Sequence, residues 1–177
     1  MLSWDRRVEG WVVAHRVGLL DPIAQGLSYV GTFGAVWLVI ALVLVLARRR
    51  ADVVVWTFVA VLLASLTADG LKAATSRSRP DVDTLVARPH TSSFPSGHAA
   101  TSFACATVLG ALVPRLRVPL CALAALIAAS RVYVGVHFPL DVVAGAVWGL
   151  VVGLLVLRAR PRLAAALRRS RPARPPG

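Results

Sequence analysis

The chain has 177 residues, of which 57% are hydrophobic and 16% are charged, and its mean hydropathy is +0.71. This composition excludes an ordinary soluble domain. It predicts one all-α domain, an integral membrane bundle of about five transmembrane helices plus an N-terminal helix. The net charge of +12 does not indicate nucleic acid as a partner, because the basic residues lie between and after apolar runs. Loops that set membrane topology and contact anionic lipid of the bilayer explain the charge better.

The N-terminal segment, residues 1–20, has apolar side chains at helical spacing, with charged residues mostly on the other side. Trp4 and Trp11 belong to the apolar set, and Asp5 and Glu9 belong to the charged one. The pattern predicts an interfacial amphipathic helix. A sixth span is the alternative, although the charged residues leave a short apolar stretch for it.

Five apolar runs predict the spanning helices. They cover residues 22–47, 53–71, 98–113, 118–134 and 140–157. Asp21 and Pro22 are a helix-start signal for the first run, with Asp as N-cap and Pro at the first helical position, and arginines 48–50 end it. Residues 1–157 are therefore expected to form a single membrane domain, and residues 158–177 a basic cytoplasmic tail that begins as a short helix and then becomes disordered.

The loop charges predict the topology of the bundle. Arginines follow the first, third and fifth runs, at positions 48–50, at 115 and 117, and in the tail. The positive-inside rule makes that side cytoplasmic. The one long loop, residues 72–95, contains three prolines and is expected on the extracytoplasmic face of the plasma membrane, together with the turn at 135–139. Strongly polar residues that meet at such a boundary indicate a functional site.

Three short motifs carry these polar residues. They are Lys72 with Arg79-Pro80, then Pro95-Ser96-Gly97-His98, then Ser130-Arg131 with His137 and Asp141. Three cations, two histidines and one carboxylate are the groups that an enzyme needs to bind a phosphate, attack it and protonate the leaving group. The motifs therefore predict a membrane phosphatase.

The order and spacing of the motifs resemble the three-part signature of the type 2 phosphatidic acid phosphatase superfamily. That family includes lipid phosphate phosphatases, bacterial phosphatidylglycerophosphate and undecaprenyl diphosphate phosphatases, glucose-6-phosphatase and the vanadium haloperoxidases. The resemblance covers residues 72–141, with every motif position filled in order. It implies hydrolysis of a lipid phosphate through a phosphohistidine intermediate, without a metal or another cofactor. Many members have six clear spans, and the N-terminal segment of this chain departs from that pattern.

The catalytic roles also follow from the residue types. His137 and Asp141 are four residues apart, so on a helix that begins near His137 they share a face. The carboxylate can then hold one ring nitrogen while the other acts as the nucleophile. His98 is expected to protonate the leaving oxygen and afterwards to activate water for the second step.

The remaining motif residues are expected to bind or support the phosphate. Lys72, Arg79 and Arg131 supply positive charge to the phosphoryl oxygens, and Ser96 and Gly97 add main-chain N–H donors at a helix N-terminus. Four residues have possible supporting roles: Pro80, Pro95, Ser130 as a phosphate ligand or orienting group, and Asp69 as the ion-pair partner of Lys72.

Other interpretations remain open on the sequence. A metal site formed by His90, His98, His137 and Asp141 is disfavoured, because the surrounding cations would repel a metal ion. Binding or transport of an anionic lipid without hydrolysis would need the cations but not an oriented nucleophile. Vanadate-dependent oxidation is disfavoured in a membrane-embedded chain.

Several lipid phosphates are candidate substrates. Prenyl phosphates and diphosphates, phosphatidylglycerophosphate and phosphatidic acid all fit the predicted site. The composition, rich in Arg, Ala and Val, is typical of a bacterium with high genomic GC content and weakly favours the prenyl-linked compounds. The sequence sets neither the lipid tail nor the oligomeric state.

Overall fold

A computed structural model of the protein describes residues 3–48 and 51–169. These residues form helices, turns and loops without a strand, so the all-α prediction is confirmed. The helices are α1 (Ser3–Ala14), α2 (Asp21–Val30), α3 (Ala35–Arg48), α4 (Asp52–Thr75), α5 (Gly97–Leu112), α6 (Arg117–Tyr133) and α7 (Pro139–Arg169). Two short 3₁₀ helices in the described part, Thr32–Gly34 and Pro114–Leu116, precede α3 and α6.

The described helices contain fewer candidate spans than the five apolar runs suggest. Three segments are long and apolar enough to cross a membrane: Asp52–Thr75, Pro114–Tyr133 and Pro139–Pro161. The pair α2 and α3 adds a fourth if it is counted as one span, although the two helices are bent by 69°. With 16 residues, α5 is shorter than the ~20 residues that a bilayer requires. This helix is buried along most of its length by α4, α6 and α7, so it lies inside the bundle.

The bend between α2 and α3 divides the run at 22–47. Gly34 has a φ of +70°, a left-handed conformation that favours glycine. At Gly31 an added Cβ would lie 2.6 Å from a methyl group of Ile127 and 3.0 Å from the ring of His98. The bend therefore brings the end of α2 directly against α6 and the start of α5.

Helices α5 and α7 pack with their backbones in close contact. Gly145, Gly149 and Gly153 follow one another at four-residue spacing on one face of α7. A Cβ at Gly145 would lie 2.4 Å from the carbonyl oxygen of Ser96, and one at Gly149 would lie 2.2 Å from that of Ala100. Small residues allow this approach between membrane helices. As a result, the first turns of α5 and α7 lie side by side.

Helix α1 has an orientation that its amphipathic pattern does not predict. An interfacial helix is expected to turn its charged side to water. Here Asp5 and Glu9 are buried against the protein, at 0% and 3% exposure. Trp4, Val8 and Trp11 on the other side are 41–62% exposed. The difference arises because polar partners for the Asp5 carboxylate lie beneath the helix.

The opposite end of the bundle includes part of the predicted basic tail. Helix α7 continues through Pro161 to Arg169, and Arg160 donates to the carboxylate of Asp52 at 2.6 Å. This ion pair connects α7 with the start of α4. The predicted disordered end of the tail, residues 170–177, lies outside the described residues, as do Arg49 and Arg50 at the predicted end of the first span.

The close contact between α5 and α7 gives a stability prediction. Gly149→Ala would place a methyl group against the carbonyl oxygen of Ala100, so we expect the free energy of unfolding to fall by about 1–3 kcal/mol. Gly26→Ala is the matched control, because no atom lies within 4 Å of its added Cβ. Denaturant unfolding of both variants in detergent micelles measures the difference. Equal stability of the two variants would contradict the packing argument.

Candidate active site

An open cavity of about 370 Å³ lies where α4 ends, α5 begins, and α6 passes into α7. Residues from all three motifs line it, together with Asp69: Lys72, Arg79, Gly97, His98, Arg131 and His137. The long loop contributes Pro89 and Thr91, and the bend before α3 contributes Gly31 and Thr32. Segments that are far apart in the sequence therefore bring cations and histidines to one boundary of the bundle.

The two ring nitrogens of His137 face different groups, and Nδ1 forms no hydrogen bond within the described residues. Its Nδ1 lies 3.5 Å from Oδ2 of Asp141, and this oxygen also accepts the main-chain N–H of Phe138 at 2.9 Å. Its Nε2 lies 3.3 Å from Nη1 of Arg79. Because a guanidinium group can only donate, Nε2 has the lone pair and Nδ1 carries the proton that faces the carboxylate. This arrangement suits nucleophilic attack by Nε2.

The protonation state of His137 fits that role. Burial lowers the pKa of His137 to about 4, and the positive charge of Arg79 also acts to lower it, while the contact with Asp141 acts in the opposite direction. The ring is therefore neutral at pH 7. A neutral imidazole keeps the lone pair that an attack on phosphorus requires.

His98 has one nitrogen held by the end of α2. Its Nε2 lies 3.1 Å from the carbonyl oxygen of Ser28 and 3.5 Å from the hydroxyl of Thr32. Since a carbonyl oxygen only accepts, Nε2 carries a proton in both the neutral and the charged form of the ring. Nδ1 is then the nitrogen left to exchange a proton with a substrate or a water molecule.

Arg79 is fixed by neutral acceptors. It donates to the carbonyl oxygens of Val136 at 2.8 Å, Thr91 at 2.9 Å and Ser92 at 3.2 Å. Burial lowers the pKa of Arg79, but a guanidinium remains charged at neutral pH. The cavity therefore has a rigid positive charge beside the His137 ring.

Arg131 and Lys72 add two further cations. Arg131 is 5% exposed and donates through Nη1 to the Ser28 hydroxyl, while its Nε has no hydrogen-bond partner among the described residues. An unpaired buried donor is costly unless a ligand oxygen accepts from it. Lys72 donates to Asp69 at 2.8 Å, the pairing that their spacing predicts. A Cβ at Gly97 would lie 3.1 Å from the Lys72 ammonium, so glycine leaves room for it.

The start of α5 differs in one respect from the sequence prediction. The main-chain N–H of Ser96 donates to the carbonyl oxygen of Asp141 at 2.9 Å, so it is not free for a phosphate. Close packing of α7 against α5 causes this contact. The available main-chain donors begin at Gly97, the first residue of α5. Ser96 is itself fully buried, and its hydroxyl has no partner among the described residues.

The predicted supporting residues lie around the cavity rather than in it, apart from Asp69. Ser130 donates to the carbonyl oxygen of Ile127 within α6 and borders a separate apolar groove. Pro80 and Pro95 are buried at the two ends of the loop, and the Phe94–Pro95 peptide bond is cis.

His90 does not join the other two histidines. It lines a neighbouring polar cavity of about 690 Å³ that also includes Arg88 and shares Lys72 and Arg79 with the first cavity. In the described ranges, 3–48 and 51–169, no group of three His, Cys, Asp or Glu side chains is arranged to hold a metal ion.

Sequence reasoning missed three residues that contact the predicted site. Ser28 contacts both His98 and Arg131, although it lies in an apolar run. Arg77 donates to Oδ1 of Asp141 at 2.5 Å and also pairs with Asp5. Arg77 could have been found from the sequence, because it lies two residues before the motif residue Arg79. No local signal marked Asp5, because its partners are distant in the sequence.

Together the helical bundle and the cavity define a membrane enzyme that acts on a phosphate group. Residues 53–165 match the PAP2 superfamily. The chain belongs to this superfamily, as the motifs indicate, and it is a lipid phosphatase.

This chain is similar to a phosphatase and to two proteins of known structure. The chain is 37% identical over 153 residues to the decaprenylphosphoryl-5-phosphoribose phosphatase of Mycobacterium tuberculosis, with 80% of each chain covered. The structure of Aquifex aeolicus LpxE has a TM-score of 0.78 and 31% identity, covering 89% of this chain and 96% of that one. The transmembrane PAP2 type phosphatidylglycerolphosphate phosphatase of Bacillus subtilis has a TM-score of 0.75 and 27% identity, covering 90% and 86%.

The contact between Ser28 and Arg131 gives a kinetic prediction. Ser28→Ala removes the acceptor for Arg131 but keeps the carbonyl that holds His98, so we expect KM for a lipid phosphate to rise roughly five- to tenfold with a smaller change in kcat. Steady-state kinetics in detergent measure both constants. Thr57→Ala is the control, because the buried Thr57 hydroxyl bonds only within α4, to Val53. Unchanged kinetics in Ser28→Ala would contradict the assigned contact.

The lowered pKa of His137 gives a titration prediction. Because its pKa is about 4, the ring should bind a proton only as the pH falls through that value, and not near its usual value of about 6.5. The ring signals of labelled histidine, followed by NMR in micelles, should include one that stays constant from about pH 8 to about pH 5.5. His137→Ala identifies that signal by its loss. A midpoint near the usual histidine value would show that the ring is not buried as described.

Proposed function

We propose that this enzyme hydrolyses the phosphate of a prenyl-linked phosphate or diphosphate at the extracytoplasmic membrane face, through a phosphohistidine intermediate and without a metal. The neutral His137 ring carries the proposal. One of its nitrogens faces a carboxylate and the other lies beside Arg79, in a cavity that also includes Lys72 and Arg131. A site that only binds anionic lipid has no need of a histidine oriented in this way.

The first chemical step transfers the phosphoryl group to the enzyme. Nε2 of His137 attacks phosphorus, and the bond from phosphorus to the leaving oxygen breaks. His98, which begins this step protonated on both nitrogens, donates its Nδ1 proton to that oxygen. Lys72, Arg79 and Arg131 stabilise the charge on the other phosphoryl oxygens. The leaving group is the lipid-linked alcohol, or a lipid monophosphate when the substrate is a diphosphate.

The second step restores the enzyme. His98, now neutral, removes a proton from water, and the oxygen of the resulting hydroxide attacks phosphorus. The bond between phosphorus and His137 breaks, and inorganic phosphate leaves. One histidine thus acts as acid in the first step and as base in the second.

The presence of an apolar groove favours a substrate that is linked to a lipid. It has a volume of about 490 Å³ and is lined by residues of α1, α2, α6 and the start of α7, among them Leu27 and Ser130. Leu27 precedes Ser28, which contacts His98. Ser130 precedes Arg131, which lines the polar cavity. The lipid tail would lie in this groove while the phosphate occupies the polar cavity.

The similarity to other enzymes supports the prenyl class. The phosphatase of Mycobacterium tuberculosis, whose match covers 80% of each chain, acts on a decaprenyl-linked phosphoribose. Phosphatidylglycerophosphate and phosphatidic acid are the competing substrates, the former because of the Bacillus subtilis structure. The positive-inside rule supports the extracytoplasmic face. Arg115 lies between α5 and α6 and Arg117 begins α6, at the opposite end of these helices from the cavity.

Phosphate release by the purified, detergent-solubilised protein tests the proposal. The assay contains EDTA and compares prenyl monophosphate, prenyl diphosphate, phosphatidylglycerophosphate and phosphatidic acid. We expect release that survives EDTA, is highest for a prenyl compound, and falls roughly a thousandfold or more in His137→Ala. Binding of these lipids by a folded protein without any release would favour the binding or transport function instead.

The two histidines should differ in the step that they control. With an aryl phosphate, whose leaving group needs no proton, His98→Ala should still form the phosphoenzyme but hydrolyse it slowly, so the intermediate accumulates. Labelling with a phosphorus-32 substrate and an alkaline quench measures this intermediate, because the phosphorus–nitrogen bond of phosphohistidine survives alkali but not acid. If His98→Ala abolished labelling and His137→Ala preserved it, the two roles would be reversed.

A further inference from the structure

The N-terminal helix contributes a fully buried carboxylate that the reaction described above does not use. Asp5 has 0% exposure, although it lies on a short helix at the edge of the bundle. Its Oδ1 accepts the main-chain N–H of Leu140 at 2.9 Å, in the first turn of α7. Its Oδ2 forms an ion pair with Arg77. A buried charge of this kind is stable only with such partners.

Arg77 connects this carboxylate to the catalytic one. While one terminal nitrogen pairs with Asp5, the other donates to Oδ1 of Asp141 at 2.5 Å. The guanidinium also lies over the ring of Phe138, 4.8 Å from its centroid. Two carboxylates and one aromatic ring therefore fix the position of Arg77.

The contacts of Asp141 make its orientation depend on Arg77. Its Oδ1 is bound by Arg77, while its Oδ2 accepts from Phe138 and faces Nδ1 of His137. If Arg77 moved, the carboxylate would keep partners on one oxygen only and could rotate. The His137 ring would then lose the group that fixes its tautomer and direction.

We propose that Asp5 is a positioning residue for His137 and acts through Arg77 and Asp141, which makes helix α1 a part of the active site. The proposal rests on the proposed function, in which His137 is the nucleophile. Asp5 does not line the cavity, so its effect should fall on the rate of phosphoryl transfer and not on substrate binding. A residue that only anchored α1 would change the amount of folded enzyme instead.

Pre-steady-state kinetics distinguish these two roles. For Asp5→Asn, we expect the rate constant of phosphoenzyme formation at saturating substrate to fall about 10- to 100-fold, because small displacements of a reacting group have effects of this size. KM should stay within about twofold of wild type, and the folded fraction, measured separately by size-exclusion chromatography and circular dichroism, should stay full. A lower folded fraction with an unchanged rate constant would overturn the proposal and leave Asp5 as an anchor.

Two control variants test whether the effect belongs to Asp5. Asp52→Asn makes the same change in the ion pair with Arg160 at the other end of the bundle. Glu9→Gln alters a second buried carboxylate of α1; burial raises the pKa of Glu9. Both should keep the wild-type rate constant. If Glu9→Gln slowed the reaction as much as Asp5→Asn, docking of α1 in general would be responsible and the specific role of Asp5 would be excluded.

A double-mutant cycle tests the path through Arg77. If Asp5 acts through Arg77, then Asp5→Asn should cause no further loss of rate in an Arg77→Gln background. Losses that multiply would overturn the proposed path. His137→Ala is measured in parallel: if it turned over normally, the nucleophile assignment would fail and this proposal with it. Loss of turnover in His137→Ala, combined with a wild-type rate in Asp5→Asn, would overturn the role of Asp5 alone.

Discussion

Close backbone packing between α5 and α7 is the constraint on which the site geometry depends. The glycines of α7 leave no side chain between the two helices, and the Ser96 N–H can then donate to the carbonyl oxygen of Asp141 at 2.9 Å. His98 is two residues beyond Ser96, and His137 is four before Asp141, so one contact fixes the register between both histidines. The same contact removes the Ser96 N–H from the set of phosphate ligands. Helix packing thus removes one donor from the site and aligns the two histidines to which the proposed mechanism assigns the chemistry.

The site separates its arginines into two electrostatic classes. Arg77 lies between two buried carboxylates, so its charge is largely compensated within the protein. By contrast, Arg79 is held by three carbonyl oxygens and Arg131 by a serine hydroxyl, which are neutral acceptors. Their positive charge is therefore available to a phosphate in the cavity, where fixed charges stabilise it electrostatically. In the proposed mechanism, the compensated charge of Arg77 supports the nucleophile, and the uncompensated charges of Arg79 and Arg131 bind the substrate.

The sequence allowed the class, the family and the convergence of the motifs to be predicted, because these depend on local patterns such as apolar runs, loop charges and motif spacing. The Ser28 contacts could not be predicted, since they require the bend at Gly31 and Gly34 inside an apolar run. The amphipathic pattern also could not show which side of α1 is buried. A helical period shows which residues share a side, but which side is buried depends on Arg77, 72 residues away. Long-range polar contacts between single residues leave no periodic signal.

The different surroundings of the two histidines match the charges that the proposed mechanism gives to each. A phosphorylated His137 that keeps the proton on Nδ1 bears positive charge, and the Asp141 carboxylate facing that nitrogen stabilises it. His98 must alternate between charged and neutral forms within one turnover, and a carboxylate partner would hold it in the charged form. Its partner is instead the neutral carbonyl of Ser28, which orients the ring without strongly favouring either state. The neighbouring groups therefore suit the proposed roles. The charged carboxylate of Asp141 faces the nucleophile His137, and the neutral carbonyl of Ser28 orients His98, which transfers protons.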